Sequence, residues 1–363
     1  MKRRFDLLVA LSLALVCGMV FTACEDEDDN IKEPFKVTPK SGVFILNQGN
    51  FGASDAFITY IDFESGNTTK VLVDELGESA QDLIIYGNKI YVSVTGSSVI
   101  WVLSLSDLSV EKRIEVKDAS GEPRSPFCLQ PYSNKIYATT NDGNVVRLDT
   151  ASLEIEAFTP VGNNPEGIAI YDGKLYVGIT NGYAYPSNFD NKLAVVDIAT
   201  FTTVETITVG VNPNRILPDG NGNLYISYRG NYSYYEPAIS GGLQKLNLSN
   251  KTLTEIDAFS NQDFTIINDT LYSFGSVYNP YPTTVNYYGR YNTKTGQIIS
   301  GEWLKGTSEI KTPYALAINP DNGDVYVADY NFPDEGKIFI FGRDGEKKEV
   351  FSVGFAPYKI VFR

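Results

Sequence analysis

One short phrase recurs seven times along the chain, and it limits the fold more than any other feature. A turn former is followed by an aliphatic residue, an aromatic one, and then a small or aliphatic one. The copies are Ser41-Gly42-Val43-Phe44-Ile45, Asn88-Lys89-Ile90-Tyr91-Val92, Asn134-Lys135-Ile136-Tyr137-Ala138, Gly173-Lys174-Leu175-Tyr176-Val177, Gly222-Asn223-Leu224-Tyr225-Ile226, Asp269-Thr270-Leu271-Tyr272-Ser273 and Gly323-Asp324-Val325-Tyr326-Val327. The aromatic positions are 47, 46, 39, 49, 47 and 54 residues apart, close to the ~40–50 residues of a four-stranded propeller blade. A second phrase precedes each later copy and recurs once after the last: Pro126-Phe127, Pro165-Glu166, Pro213-Asn214, Pro313-Tyr314 and Pro357-Tyr358, with Gln81-Asp82 and Gln262-Asp263 in the other two. Proline suits the first residue of a strand, where no ladder N–H is needed. Alternating strands follow each copy, such as Val195-Val196-Asp197-Ile198 and Ile338-Phe339-Ile340-Phe341.

The ends of the repeat are complementary. Residues 355–363 hold only a first strand, and the copy from Gly42 to Val73 lacks one. The sequence therefore predicts an all-β, seven-bladed β-propeller over 42–363, its ring closed by the C-terminal strand joining the N-terminal blade. Closure removes two sheet edges that would otherwise stand open. An open sandwich or two separate domains would not explain the matching ends, and no composition break divides 42–363.

A 43% hydrophobic, 20% charged composition is enough for a sizeable core. The chain has no histidine, which excludes Ser-His-Asp and Cys-His nucleophile systems, His-ligated zinc and imidazole acid–base work. With 30 Lys+Arg against 44 Asp+Glu, a net charge of −14, nucleic acid is not an expected partner.

The first residues read as a leader. Lys2, Arg3 and Arg4 precede an uncharged run from Leu7 to Phe21, too short to span a bilayer comfortably and suited to a signal-peptide core. It ends in Thr22-Ala23-Cys24, and Glu25-Asp26-Glu27-Asp28-Asp29 follows. The expected organisation is a signal peptide over 1–23, an acidic tether over 24–41 and the propeller over 42–363. Of three cysteines, Cys17 falls within the leader and Cys24 at its end. Cys128 alone remains, expected as a buried small hydrophobe.

These residues carry a resemblance. Ala23-Cys24 after an apolar run resembles a bacterial lipobox, which implies lipidation of Cys24 and an anchor in the outer membrane. The acidic run resembles the surface-export signal of Bacteroidota lipoproteins, which implies a cell-surface location. The repeat resembles the seven-bladed YVTN/YncE-like propellers over about 320 residues, and more closely their surface-lipoprotein branch in Bacteroidota. That branch includes a cobalamin-binding propeller that caps the vitamin B12 transporter, so the resemblance implies a corrinoid ligand and a TonB-dependent partner.

In a blade, the second-to-third-strand loops and the blade-to-blade loops emerge on one face. The former are long and aromatic: Asn47–Phe57, Asn181–Asn191, Tyr228–Ser240, Ser276–Tyr288 and Asp329–Glu335. They bring Phe51, Tyr183, Tyr185, Tyr228, Arg229, Tyr232, Tyr234, Tyr278, Tyr281, Tyr287, Tyr330 and Phe332 to that face. Such rings serve recognition, or they pack the loops against the blade rims. The blade-to-blade phrase lines the central funnel with Gln81, Asp82, Glu166, Asn214, Arg215, Tyr314 and Tyr358, together with Phe127 and Asp263. This reads as an amide-rich lining with few charges, suited to a neutral or zwitterionic ligand. The turns of the opposite face are short, and Asp321-Asn322-Gly323-Asp324 reads as a turn rather than a calcium loop.

Three functions follow: a non-enzymatic surface protein that captures a nutrient for a transporter, a protein-interaction scaffold, or a lactonase-like enzyme using Asp82, Glu166 and Asp263 around a metal. The first is the reading adopted, with no cofactor or metal and a monomeric chain expected.

Overall fold

The computed structural model describes residues 41–184, 188–231, 239–256, 263–278 and 284–363. Blade 1 contains β1 (Gly42–Asn47), β2 (Phe57–Asp62) and β3 (Thr68–Val71). Blade 2 is β4 (Ala80–Tyr86), β5 (Lys89–Val94), β6 (Val99–Ser104) and β7 (Val110–Glu115). Blade 3 is β8 (Pro126–Tyr132), β9 (Lys135–Thr140), β10 (Asn144–Asp149) and β11 (Ile155–Pro160). Blade 4 is β12 (Pro165–Tyr171), β13 (Lys174–Ile179), β14 (Lys192–Asp197) and β15 (Thr202–Thr208). Blade 5 is β16 (Pro213–Pro218), β17 (Asn223–Tyr228), β18 (Gly242–Asn247) and β19 (Leu253–Glu255). Blade 6 is β20 (Asp263–Ile267), β21 (Thr270–Tyr278), β22 (Thr284–Asn292) and β23 (Gln297–Ile298). Blade 7 is β24 (Pro313–Ile318), β25 (Val325–Asp329), β26 (Lys337–Phe341) and β27 (Lys347–Ser352). The last strand, β28 (Pro357–Phe362), completes blade 1 in the order β28-β1-β2-β3. All pairings are antiparallel, and the seven first strands neighbour one another in a closed ring.

The recurring aromatic explains why the sheets pack radially. Each lies in a second strand and points into the gap toward an adjacent blade. Phe44 sits in the apolar cluster between blades 1 and 2, Tyr91 between 2 and 3, Tyr137 between 3 and 4, and Tyr176 between 4 and 5. Tyr225, Tyr272 and Tyr326 fill the three remaining gaps. Seven apolar clusters thus serve seven blade interfaces. The first four of these aromatics are at most 4% exposed, and each such ring stabilises its interface by roughly 2–3 kcal/mol.

Closure of the ring is as expected from the two terminal fragments. β28 pairs with β1 from Val43↔Phe362 to Asn47↔Pro357. Asn47, fully buried, locks the junction: its Oδ1 accepts the Gly354 N–H at 2.8 Å, and its Nδ2 donates to Phe57 O at 3.1 Å and Thr59 Oγ1 at 3.0 Å. The Gln48 N–H donates to Ala356 O at 2.9 Å, and Arg363 Nη1 donates to Leu105 O in blade 2 at 2.8 Å.

One expectation needs correction. Ser276–Tyr288 is not a long loop: β21 and β22 are nine residues each and pair as far as Tyr278↔Thr284. Val277, Tyr278, Val285, Tyr287 and Tyr288 are strand-favouring residues, so the hairpin continues past the usual blade height. Asp321–Asp324 is a turn, as read, with Asp324 Oδ1 held by Lys348 Nζ at 2.7 Å.

Removing residues 357–363 should expose both faces of the closure, and the shortened chain should lose its cooperative urea transition. Ile360→Ala, at a position 7% exposed, should cost about 2–4 kcal/mol. Circular dichroism across a urea series checks both.

Candidate functional site

In six of the seven first strands, β20 excepted, the second phrase of the repeat marks a β-bulge. In β4, Ala80 pairs with Val94 and Asp82 with Ser93, so Gln81 opposes nothing. The same extra residue occurs as Asn214 in β16, Tyr314 in β24 and Tyr358 in β28. In β8 and β12 two residues face one on the partner: Phe127 and Cys128, and Glu166 and Gly167. The residue just before the strand often has a left-handed backbone, with φ of 58° at Ser79, 50° at Ser125, 47° at Asn164, 64° at Asn212 and 51° at Ala356. A bulge rotates the strand locally and re-aims one side chain. Here it turns Gln81, Phe127, Glu166, Asn214 and Tyr358 toward the axis.

Neighbouring blades hold these bulges in place. Ser93 Oγ donates to Phe127 O, and Thr139 Oγ1 donates to Glu166 O at 3.0 Å. At the equivalent position of blade 4, a Cβ on Gly178 would lie 2.7 Å from Pro213 O, so only glycine admits that approach.

All seven first strands contribute to a central channel of ≈ 120 Å³. Gln81, Asp82, Phe127, Glu166, Asn214, Arg215, Asp263 and Tyr358 line it, as expected, with Arg229. Cys128, Thr265, Ala315 and Lys359 line it as well. The expected scarcity of charge is overturned: three acids and three bases face the channel, in three pairs. Lys359 Nζ lies 2.7 Å from Asp82 Oδ1, Arg229 Nη1 lies 2.7 Å from Glu166 Oε2, and Arg215 Nε lies 3.4 Å from Asp263 Oδ1. Two of the pairs join residues on adjacent first strands, Lys359 with Asp82 and Arg215 with Asp263; in the third, Arg229, just beyond β17, reaches Glu166 at the bulge of β12. Asp82 is 4% exposed and also accepts the Leu129 N–H at 2.8 Å and the Leu83 N–H at 2.9 Å.

Burial works against the charge on Arg215, but Asp263 and Asp82 outweigh it and hold the guanidinium above its ordinary range. Burial raises the Tyr358 hydroxyl well above its ordinary range. Cys128 is half-buried, packed against the apolar cluster between blades 3 and 4 and also lining the channel; burial, with Asp82 beside it, pushes its thiol up. The carboxylates proposed for a lactonase-like metal are each engaged by a cation. Among the described residues, no three of Cys, Asp and Glu are grouped as metal ligands would be.

Beside the channel stands an aromatic wall. Tyr314 stacks on Tyr330 at 5.1 Å and meets Tyr358 edge-on at 5.5 Å. Tyr330 continues to Phe332 at 6.3 Å and Phe355 at 5.4 Å, and Phe332 contacts Phe355 at 6.0 Å. The Tyr314 hydroxyl, pushed up to about 12 by burial and Tyr330, donates to Gln48 Oε1 at 3.1 Å. Phe332 is 66% exposed and ends the wall at the rim. Phe51, on the same face, is 95% exposed.

Other expected site residues are placed elsewhere. The Tyr228 ring covers Gly210 and Gly242, where any Cβ would collide with it, and its hydroxyl donates to Glu255 Oε2 at 2.9 Å. It packs within blade 5 and does not line the channel. The Tyr287 hydroxyl reaches Phe274 O at 3.5 Å within blade 6. Tyr183 lies in the single turn Gly182–Ala184, and Tyr278 ends β21. Cys24, Tyr185, Tyr232, Tyr234 and Tyr281 lie outside the described residues. Lys359 and Phe355 were not anticipated. Lys359 follows its bulge as Asp82 and Arg215 follow theirs, and that register would have flagged it.

No family model and no curated protein matches the chain. Solved structures do. A hypothetical selenium-binding protein from Sulfolobus tokodaii is 12% identical, covering 90% of this chain and 94% of that one at a TM-score of 0.63. Apo AztD from Citrobacter koseri is 14% identical, covering 90% and 98% at 0.55. A chain of Kuenenia stuttgartiensis hydrazine synthase is 15% identical, covering 71% and 74% at 0.56. At these identities the likeness establishes the shared fold alone.

Lys359→Ala would leave the Asp82 carboxylate buried without its cation. It should cost about 3–5 kcal/mol of stability. Adding Asp82→Asn, which keeps an acceptor oxygen and removes the charge, should recover a good part of that loss. Urea unfolding of the two variants checks the pair.

Proposed function

We propose that the chain is a non-enzymatic, cell-surface ligand-binding lipoprotein that captures a nutrient for a TonB-dependent outer-membrane transporter. The observation that carries this reading is the juxtaposition of an aromatic wall, Tyr314, Tyr330, Phe332, Phe355 and Tyr358, with a polar channel whose charges cancel. The wall offers flat apolar area to a ligand face. The three ion pairs leave the channel lining with no net charge, so the site suits a large neutral or zwitterionic ligand. The channel admits a side arm, and the body of such a ligand would rest across the mouth.

A corrinoid has this character, being large and fringed with amides, with apolar edges. That identification rests on the family resemblance, as do the signal peptide over 1–23, the lipid on Cys24 and the outer-membrane location. With no histidine in the chain, recognition would proceed through contacts around the macrocycle.

Pairing of Asp82, Glu166 and Asp263 with cations supports the non-enzymatic reading over the lactonase-like one. The exposed rings of Phe51 and Phe332 favour one alternative, a protein-interaction scaffold using the same face.

Calorimetric titration of the whole chain with cobalamin tests the proposal. Saturable binding at micromolar ligand is expected, weakened at least tenfold by Tyr330→Ala with Phe332→Ala. Absence of binding would remove the corrinoid and leave the scaffold reading.

A further inference from the structure

The three ion pairs in the channel are not equivalent. Lys359–Asp82 and Arg229–Glu166 close to 2.7 Å. Arg215–Asp263 stands at 3.4 Å, and the buried Arg215 Nε has no hydrogen-bond partner among the described residues. Asp263 instead accepts its own neighbour's N–H, Phe264 N, at 2.7 Å through the same Oδ1. A guanidinium presents five N–H donors in a planar fork, and buried donors left unsatisfied are costly. The Nε itself is closed off from the channel, but the Arg215 side chain as a whole is 30% exposed and lines the ≈ 120 Å³ channel beside Tyr358. The space accepts a group of a few heavy atoms. The group that matches a planar fork is one with two coplanar oxygens.

We infer that Arg215 anchors a small-carboxylate site inside the channel, filled by a free short-chain acid or by the carboxylate arm of a larger molecule. The pairing of Asp82 and Glu166 with Lys359 and Arg229 offsets the negative charge that would otherwise repel such a group. The site shares Tyr358 with the aromatic wall but not Tyr330, Phe332 or Phe355, so it stands whether or not those rings hold a corrinoid.

Saturation-transfer NMR on the whole chain tests this with acetate, propionate, propionamide and phenylpropionate. Acetate and propionate should bind saturably, and propionamide at least tenfold more weakly than propionate. Arg215→Gln should weaken acetate at least tenfold. Arg215→Gln with Asp263→Asn, which leaves no unpaired carboxylate to disturb folding, should do the same. Tyr330→Ala should leave acetate unchanged, which separates this site from the wall. Phenylpropionate bound more tightly than acetate, and weakened by Tyr330→Ala, would assign the carboxylate to a larger molecule. Equal affinity would assign it to free short-chain acids. No saturable acetate binding, acetate affinity that survives both Arg215 variants, or propionamide bound as well as propionate would overturn the inference.

Discussion

A single supernumerary residue at the start of the inner strands sets the character of this molecule. A regular strand alternates its faces, and each inner strand of a propeller must give its apolar face to the neighbouring blade. The bulge breaks that alternation for one position without disturbing the rest. It lets Leu83, Leu129, Ile168 and Ile216 stay buried between blades while Gln81, Phe127, Glu166, Asn214 and Tyr358 reach the axis. The same device places Asp82, Arg215 and Lys359 where opposite charges meet across strands.

The rest of the architecture protects this arrangement. Rings wedged between blades fix their angular spacing, and small residues in the second strands let the next blade approach: Ser93 and Thr139 bond a bulge carbonyl, and Gly178 makes room for Pro213 O just before one. The closure through Asn47 and β28 matters for function as well as stability. Tyr358 and Lys359 enter the channel only because the C-terminal strand sits inside blade 1, and Tyr314 of blade 7 is tied to Gln48 of blade 1 across the same seam.

The fold was legible because its signals are local and repeated: Tyr91 and its six counterparts, the turn formers before them, and two terminal fragments that complete one sheet. Most of the channel was legible for a related reason, since the Pro-X phrase marks the bulge. What escaped was pairwise and long-range. That Lys359 would neutralise Asp82, 277 positions away, depends on how the ring closes. Tyr228 shows the opposite failure. Its position at a loop suggested recognition, but Gly210 and Gly242 leave a slot that its ring fills. The long hairpin of blade 6 read as a loop because its tyrosines, which suit strands, were counted as exposed loop aromatics.

The bulge itself can be tested by deleting one residue at a time from β4. Removing Gln81 should leave Ala80 and Asp82 on consecutive partners, Val94 and Ser93, and cooperative urea unfolding should persist within about 2 kcal/mol of the parent. Removing Ile84, three positions on, reverses every later face of the strand and should abolish the cooperative transition. Equal damage from the two deletions would contradict the account, because Gln81 would then be an ordinary member of the ladder.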